Sequence, residues 1–415
     1  MKRGLFAQAI QYGLVKIASM AAPLILAPIL THYLTPSDYG VVVLFDIAFQ
    51  VTGPLVGFGL QSAIRRRYFD LNRAEFSRYV LSTFLTVTSL LAVFTILVSI
   101  VNAFIPSIHG VPSYWAYVLV PWIGSQYVNS VATSFYQLER RPLSHGLLTG
   151  GVTLLNLCLS LLLVIQFDLH WQGRIAGQVL AYVLFACASF FIINSRLERP
   201  LRISMADSRD ALSYGAQLVP YSILERIVAL TDRAVIVAYV GLAAAGIYAL
   251  GSQLAALLVV ASDSFSLSWQ PWLFERLKRN RIIDRQQVKR ALLSVSLLVV
   301  LGAIILIWLG PPIFSLVIDS RYNEAYTVLP ILVVALMFRS ISRILSAIVM
   351  FEGSMRPLSG VAVLGAIVNL TGNLILVPRH GWKGAATATC IAFASTLLMT
   401  CFAVYRSWQK LPRPT

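Results

Sequence analysis

The chain consists largely of long apolar stretches that follow one another from its first residues to its last. Twelve of these stretches are long enough to cross the apolar core of a bilayer as a helix, which takes about 20 residues. The polar intervals between them are too short for a separate folded domain. The pattern therefore predicts an all-α integral membrane protein of about twelve transmembrane helices. The predicted spans are residues 10–34, 40–64, 80–104, 114–137, 144–166, 173–194, 214–240, 245–269, 291–314, 326–350, 358–378 and 384–405.

Charged residues make up only 12% of the chain, whereas ordinary soluble domains contain roughly 25%. The basic residues are unevenly placed: of the 33 Lys and Arg, 24 lie in the termini and loops of one side, four lie in the loops or at a span end of the other, and five lie deeper within spans. Loops rich in Lys and Arg face the cytoplasm, so we expect both termini to be cytoplasmic. The net charge of +16 reflects this bias, and we expect no nucleic-acid partner.

Three short segments of the first half recur in the second half, in the same order and at nearly constant offsets of 206, 215 and 211 residues. The repeat predicts two six-helix lobes, residues 1–205 and 206–415, with the same orientation in the membrane. Transporters with such repeats bind their substrate between the halves. The recurring pairs are Tyr33–Gly40 with Tyr239–Gly246, Arg141–Ser144 with Arg356–Ser359, and Trp171–Gly173 with Trp382–Gly384.

Three segments also carry a family resemblance. Leu34–Gly40 (LTPSDYG) resembles the "L-x-P-x-D-Y-G" turn of polysaccharide biosynthesis export proteins. Asp232–Tyr248 is similar to their "D-R…G…x-x-x-G-x-Y" segment at spans seven and eight, and Asn369–Ala386 is similar to their "N…N…L-x-P…G…G-A-A" run at spans eleven and twelve. This family includes O-antigen flippases and exporters of capsule and exopolysaccharide. It belongs to a superfamily with the multidrug and toxic-compound extrusion transporters and the peptidoglycan lipid flippases.

The resemblance implies a V-shaped bundle of two six-helix lobes around a central cavity. It implies a flippase of the bacterial cytoplasmic (inner) membrane, which moves oligosaccharides linked to undecaprenyl pyrophosphate from the cytoplasmic to the periplasmic leaflet by alternating access. The substrates expected from it are lipid-linked units of O-antigen, capsule or exopolysaccharide. A polysaccharide polymerase and a chain-length regulator are candidate partners, beside the membrane lipids.

Ionisable side chains within spans are costly, so each is a candidate functional residue. Arginine suits a pyrophosphate because its planar fork bonds oxygens in pairs and stays charged when it is desolvated. Arg339 and Arg343 share one helix face, and so do Arg226 and Arg233. We expect a cationic cavity, with Arg226 as its leading residue; ion pairs, helix-end contacts and snorkelling are the structural alternatives. The predicted substrate-binding residues are Arg226, Lys16, Arg339, Arg343 and Arg233.

Acidic side chains within spans are candidates for coupling transport to H⁺ or Na⁺. A carboxylate in a low-dielectric environment has a raised pKa and can therefore gain and lose its proton during a cycle. Ion pairing and helix capping are the structural alternatives for these residues as well. The candidates are Asp46, Glu225, Asp263 and Asp232.

Signatures of catalysis are absent from the sequence. It has no Walker loop, its five His residues show no metal-ligand spacing, and its four Cys residues lie within apolar stretches. We therefore expect no catalytic residue, no metal site and no cofactor. Three carboxylates of the outer loops, Asp38, Asp319 and Glu324, are interpreted as isolated, solvated charges.

Two other functions remain open. An ion-coupled multidrug antiporter on the same scaffold would expel cations, and its cavity should be dominated by carboxylates. A membrane-bound glycan polymerase or ligase would need a large periplasmic loop, whereas the longest outer loop here has about ten residues.

Overall fold

The computed structural model describes residues 26–139, 141–200, 202–279, 282–352 and 356–410. Lys16 and most of the first predicted span lie outside the described residues, as does the side chain of Glu225. The helices in chain order are α1 (26–33), α2 (Pro36–Gly57), α3 (Leu60–Arg67), α4 (Arg73–Phe104), α5 (Leu119–Leu138), α6 (Pro142–Leu161), α7 (His170–Asn194), α8 (Met205–Tyr239), α9 (Leu242–Arg279), α10 (Ile282–Val317), α11 (Leu329–Glu352) and α12 (Arg356–Lys410).

Eight stretches of the described chain are helical, long enough and apolar enough to cross a membrane. The longest of them, Pro357–Gln409, has 53 residues and is interrupted at Gly381, whose φ of 58° lies outside the helical range. It therefore contains the two predicted spans 358–378 and 384–405. Helices α5 and α8 occupy the predicted fourth and seventh spans, and α1 is the end of the first. The predicted all-α membrane fold of about twelve spans is confirmed.

The outer surface of the long helices is apolar, as a bilayer solvent requires. Helix α10 exposes Leu293, Trp308 and Leu316, the last at 87% of its surface. Soluble proteins rarely expose contiguous apolar surface of this kind. These side chains are therefore placed to contact lipid.

The ends of the helices follow from local sequence. Asn72 and Glu75 form a capping box at the start of α4, each side chain bonding the backbone N–H of the other. Pro142 and Pro357 stand in the first turns of α6 and α12, where a missing N–H is harmless. Since the two prolines belong to one of the recurring segments, the repeat preserves a helix start.

One small element was not predicted. Strands β1 (Ser107–Ile108) and β2 (Val111–Pro112) pair antiparallel in the loop between α4 and α5. The two residues between them, His109 and Gly110, have φ of 51° and 82°. This left-handed pair makes the tight turn that closes a hairpin.

The described chain forms two compact units. The first comprises Val41–Leu230, and its core includes Ile64, Val131 and Phe135. The second comprises Ala27–Gly40 together with the chain from Thr231, and its core includes Tyr322. The predicted lobe boundary between residues 205 and 206 stays a prediction.

Within the second unit, the recurring segments Tyr33–Gly40 and Tyr239–Gly246 contact each other. A Cβ atom on Gly40 would overlap the carbonyl group of Leu242, and one on Gly246 would overlap the carbonyl oxygen of Pro36. Helices α2 and α9 therefore begin in backbone contact at two equivalent glycines, as small residues permit in membrane helices.

Candidate cation-lined cavity

A cavity of about 270 Å³ lies in the first unit and is lined by faces of four helices. Helices α2 and α3 supply one side, α5 supplies the second, and α8 supplies the third. Because the lining residues recur three, four or seven positions apart on each helix, every helix turns a single face toward the cavity. The lining residues are Phe49, Gln50, Gly53, Pro54, Gly57, Gly59, Gln61, Ile123, Gln126, Tyr127, Ser130, Val219 and Arg226.

Two glycines of α2, Gly53 and Gly57, contribute to the cavity lining. A Cβ atom built on Gly53 or Gly57 would meet no atom of a described residue within 4 Å, so these glycines leave space in the described lining. The helix ends at Gly57, and Phe58 and Gly59 adopt positive φ of 47° and 65°. This break starts α3 in a new direction and places Gln61 in the same lining. The chain therefore bends within the predicted second span, 40–64.

Helix α5 is held in place by contacts with α2 and α7. Trp122 stacks on Phe49 of α2 with ring centroids 4.1 Å apart. Seven residues further along the same face, the Asn129 amide donates to the Tyr182 carbonyl oxygen of α7 at 3.0 Å and accepts from the Ser189 hydroxyl at 2.7 Å. These contacts fix the rotation of α5, and with it the side of the helix that carries Gln126 and Tyr127.

Arg226 is the one cation in the described lining, and no described carboxylate lines the cavity. Its side chain is exposed, and its Nη1 donates to Gln50 Oε1 at 3.0 Å. That bond uses one of the five N–H groups of a guanidinium and orients the fork. The cavity therefore presents an oriented positive charge with amide and hydroxyl groups around it.

Charged contacts fix the first turns of α8, the helix that carries Arg226. Arg67 donates two bonds to the Asp210 carboxylate, at 2.6 and 3.1 Å, and the Tyr79 hydroxyl donates a third at 2.9 Å. Arg78 pairs with Asp207 at 2.8 Å. The hydrogen bonds from Arg67 hold the pKa of the Asp210 carboxyl below its usual value. In the sequence, these loop charges predicted only the orientation; their role in anchoring α8 depends on contacts between segments that are distant in the chain.

In the second unit, the structure brings together three predicted residues of α9 and α11. Arg343 pairs with Asp263, with its Nη1 2.9 Å from Oδ1 and 3.0 Å from Oδ2. Arg339 is half-buried and interacts electrostatically with both of them. The ion-pair alternative is thus realised for Arg343 and Asp263. Their predicted roles in binding and coupling stay predictions.

Asp232 and Arg233 each bind α9. The Tyr248 hydroxyl donates to Asp232 Oδ2 at 2.6 Å, and Arg233 Nη2 donates to the Ser252 hydroxyl at 3.1 Å. Arg233 therefore has a packing partner in the second unit, whereas Arg226 lines the cavity of the first. The expected common role of these two arginines stays a prediction.

The remaining coupling candidate with a described side chain is Asp46 on α2. It lies near Tyr182, on which both Asp46 and Arg174 act electrostatically. Arg174 also donates to Asn156 Oδ1 at 2.8 Å. Asp46 is therefore part of a polar group inside the first unit.

Two of the outer loop carboxylates are not isolated, so that interpretation was wrong for them. Asp38 accepts hydrogen bonds from the backbone N–H and the hydroxyl of Thr35, at 3.0 and 2.6 Å. Asp319 pairs with Arg321 at 2.9 Å, which lowers the pKa of the Asp319 carboxyl. The partners are only three and two residues away in sequence, and the local backbone conformation, which the charge pattern does not specify, brings them into contact. Glu324 is exposed.

Three amides of the cavity lining were not among the candidates predicted from the sequence. Gln50, Gln61 and Gln126 lie within predicted spans two and four, whereas the predicted candidates were all ionisable groups. Polar amides at helical spacing within an apolar span are the signal that could have identified them, because buried polar groups need partners.

Among the described residues, no group of three or more His, Cys, Asp or Glu could hold a metal ion. The absence of metals and cofactors stays a prediction.

Comparison with known proteins gives a family and a fold. A sequence model described as "Polysaccharide biosynthesis protein" matches residues 29–327. Among proteins of curated function, none is significantly similar in sequence.

The fold is similar to those of solved membrane transporters. The lipid II flippase MurJ in an inward closed conformation gives a TM-score of 0.72 at 14% identity, covering 99% of this chain and 89% of that one. An inward-facing multidrug resistance MATE family transporter of the MOP superfamily gives 0.69 at 13% identity, covering 94% and 96%. A MOP superfamily transporter from Pyrococcus furiosus, described by the reverse polarity of its binding pocket, gives 0.62 at 12% identity, covering 97% and 95%. At these identities the likeness shows the fold alone.

Proposed function

Since this multi-pass membrane protein belongs to the polysaccharide biosynthesis protein family, we propose that it is a flippase for oligosaccharides linked to undecaprenyl pyrophosphate. It would move units of O-antigen, capsule or exopolysaccharide across the cytoplasmic membrane by alternating access. The family match supports a glycan substrate. The fold shared with the lipid II flippase and the MATE transporter supports transport as the activity and gives no support to catalysis.

The observation that carries this proposal is the position of Arg226. Its guanidinium lines a cavity of about 270 Å³ and is oriented by Gln50 at 3.0 Å. Such a fork matches the paired oxygens of a diphosphate and keeps its charge when water is excluded. The flippase therefore binds the lipid diphosphate at Arg226, and the predicted contributions of Lys16, Arg233, Arg339 and Arg343 belong to the same proposal.

The multidrug antiporter is the weaker alternative. A pump for cations needs negative charge where its substrate binds, and the described lining holds Arg226 without a carboxylate. The neighbour from Pyrococcus furiosus is itself described by a reversed pocket polarity and a different function. The sign of the charge in the cavity thus favours an anionic substrate for this chain.

Coupling to H⁺ or Na⁺ would use the carboxylates within the predicted spans, which are Asp46, Glu225, Asp263 and Asp232. Asp263 is paired with Arg343, and Asp232 accepts a hydrogen bond from Tyr248. Both contacts lie within the second unit, and a coupling role for any of the four carboxylates stays a proposal. The proposal places the protein in the bacterial inner membrane with both termini in the cytoplasm. A polymerase and a chain-length regulator would act on its product.

Replacement of Arg226 tests the proposal in cells. In a strain that lacks the gene, wild-type protein should restore surface glycan, while Arg226→Ala should leave undecaprenyl-linked oligosaccharide on the inner leaflet. Losing a charged hydrogen bond of roughly 1.5–3 kcal/mol predicts a transport defect of about tenfold or more. Leaflet-specific labelling of the lipid-linked glycan measures it.

A matched control lies on the same helix. Arg209 is exposed near the start of α8 and does not line the cavity, so Arg209→Ala should transport normally. Normal export by an Arg226→Ala protein that is present at wild-type level would remove Arg226 from the site. Drug resistance without any effect on surface glycan would instead support the antiporter.

A further inference from the structure

The cavity around Arg226 holds more polar groups than a diphosphate alone requires. Gln61 of α3 and Gln126 of α5 line it from two chain segments that are far apart in sequence. Neither side chain forms a hydrogen bond with any described residue, and Gln126 is exposed. Their amides are therefore available to a ligand in the same cavity as the cation.

The chemistry of these groups points to an uncharged, hydroxyl-bearing ligand. An amide offers a carbonyl acceptor and two N–H donors, so it can serve a hydroxyl group in either role. The Phe49 ring, held by its stack on Trp122, and the Tyr127 ring, which is 4% exposed, provide apolar walls. Sites that combine apolar walls with a few oriented polar groups bind and discriminate small molecules.

We propose that Gln61 and Gln126 form a sugar subsite beside Arg226, which reads the hydroxyl pattern of the hexose attached to the lipid diphosphate. This inference rests on the proposed function, because it assigns the diphosphate of the same ligand to Arg226. The two amides would set which glycan is accepted, whereas the cation would bind any lipid diphosphate. A neutral hexose fits the described lining, which offers amides and hydroxyls for its hydroxyl groups.

Binding by purified full-length protein tests the subsite with two kinds of probe, one bare and one glycosylated. One probe is undecaprenyl diphosphate, and the other is undecaprenyl diphosphate bearing a single hexose, prepared as the gluco and the galacto epimer. Wild-type protein should bind at least one glycosylated probe about fivefold or more tighter than the bare lipid, since neutral hydrogen bonds contribute about 0.5–1.5 kcal/mol each. The doubly substituted protein Gln61→Leu, Gln126→Leu should reduce this ratio to near one and leave affinity for bare undecaprenyl diphosphate within about twofold.

Controls separate this inference from the proposed function. Gln137→Leu changes an exposed amide of the same helix α5 outside the cavity and should keep the wild-type ratio. Arg226→Ala should weaken both probes by the same factor. If Arg226→Ala leaves both affinities unchanged, the proposed function fails. If Arg226→Ala weakens both while the glutamine variants keep the wild-type ratio, the sugar subsite alone is overturned.

Two further outcomes bear on the subsite. Equal binding of the bare and both glycosylated probes by wild-type protein overturns it. Gln126→Glu keeps the size of the side chain but adds a negative charge to the cavity, so it should weaken binding of the bare diphosphate as well. Unchanged affinity of Gln126→Glu for undecaprenyl diphosphate would show that the side chain does not face the ligand, and would also overturn the subsite.

Discussion

At the scale of single residues, the cavity is defined by one guanidinium and the amide that orients it. Arg226 was identifiable from the sequence because a charge within an apolar span stands out. Its partner Gln50 was not, because the predicted candidates were all charged groups and local spacing does not show which residue an amide will bond. The sequence therefore revealed the charge of the site, while the residues that shape it became visible only when α2, α5 and α8 were placed together.

The contact between Arg226 and Gln50 makes a prediction about their coupling. Gln50→Leu removes the acceptor at 3.0 Å and should slow transport roughly threefold to tenfold, less than Arg226→Ala does. Because the amide acts through the guanidinium, the double variant should be no slower than Arg226→Ala alone. Initial transport rates of the three variants in proteoliposomes measure this, and additive defects would show that Gln50 acts independently.

The anchor of α8 has a defined pH dependence. The hydrogen bonds from Arg67 lower the pKa of Asp210 in the folded protein. At pH values above the pKa of an unfolded Asp, about 3.9, the ionised carboxylate therefore stabilises the folded state. This stabilisation is lost as pH falls through the lower, folded pKa. Asp210→Asn should therefore unfold at a lower temperature than wild type at pH 7, and the difference should shrink below about pH 4.

Thermal unfolding of the detergent-solubilised proteins at several pH values measures the Asp210 effect. Asp70→Asn is the matched control, because Asp70 lies 3.9 Å from the same Arg67 and is more exposed. A difference between Asp210→Asn and wild type that stays constant from pH 7 to pH 3 would contradict the linkage.

At the scale of helices, the sequence located most spans but not their breaks. Prolines in first turns and long apolar runs are local signals, and they placed α6 and both parts of α12 correctly. The hairpin at Ser107–Pro112 depends on two residues in left-handed conformations, which short sequence patterns do not specify. The repeat showed that Gly40 and Gly246 are equivalent, but equivalence in sequence carries no information about contact.

The crossing of α2 and α9 predicts unequal effects of glycine substitutions. Gly246→Ala places a Cβ atom against the backbone of Pro36, so the helices must separate at a cost of about 1–3 kcal/mol or more. Gly53→Ala adds the same atom to open space and should fold normally. Unfolding temperature and the monodisperse fraction in size-exclusion chromatography measure both. Equal stability of the two variants would show that the backbone contact is not tight.

At the scale of the whole molecule, the bilayer accounts for features that would be defects in water. The chain exposes large apolar side chains along α10, and it carries few charges for its size. Its basic loops predict the orientation, because Lys and Arg stay on the cytoplasmic side. The sequence thus predicts that the chain lies in a bilayer, how many spans it has, and the sign of the charge on its substrate. The amides proposed to select the glycan come together only when distant segments pack, so local sequence does not identify them.

The central claim is that the cavity carries a lipid diphosphate across the bilayer at Arg226. The direct test reconstitutes purified protein in liposomes that hold labelled undecaprenyl-diphosphate oligosaccharide in one leaflet, and follows its appearance in the other leaflet. The account predicts rapid transfer by wild type, a loss of about tenfold or more for Arg226→Ala, and normal transfer for Arg209→Ala. Transfer by folded Arg226→Ala at the wild-type rate would contradict it.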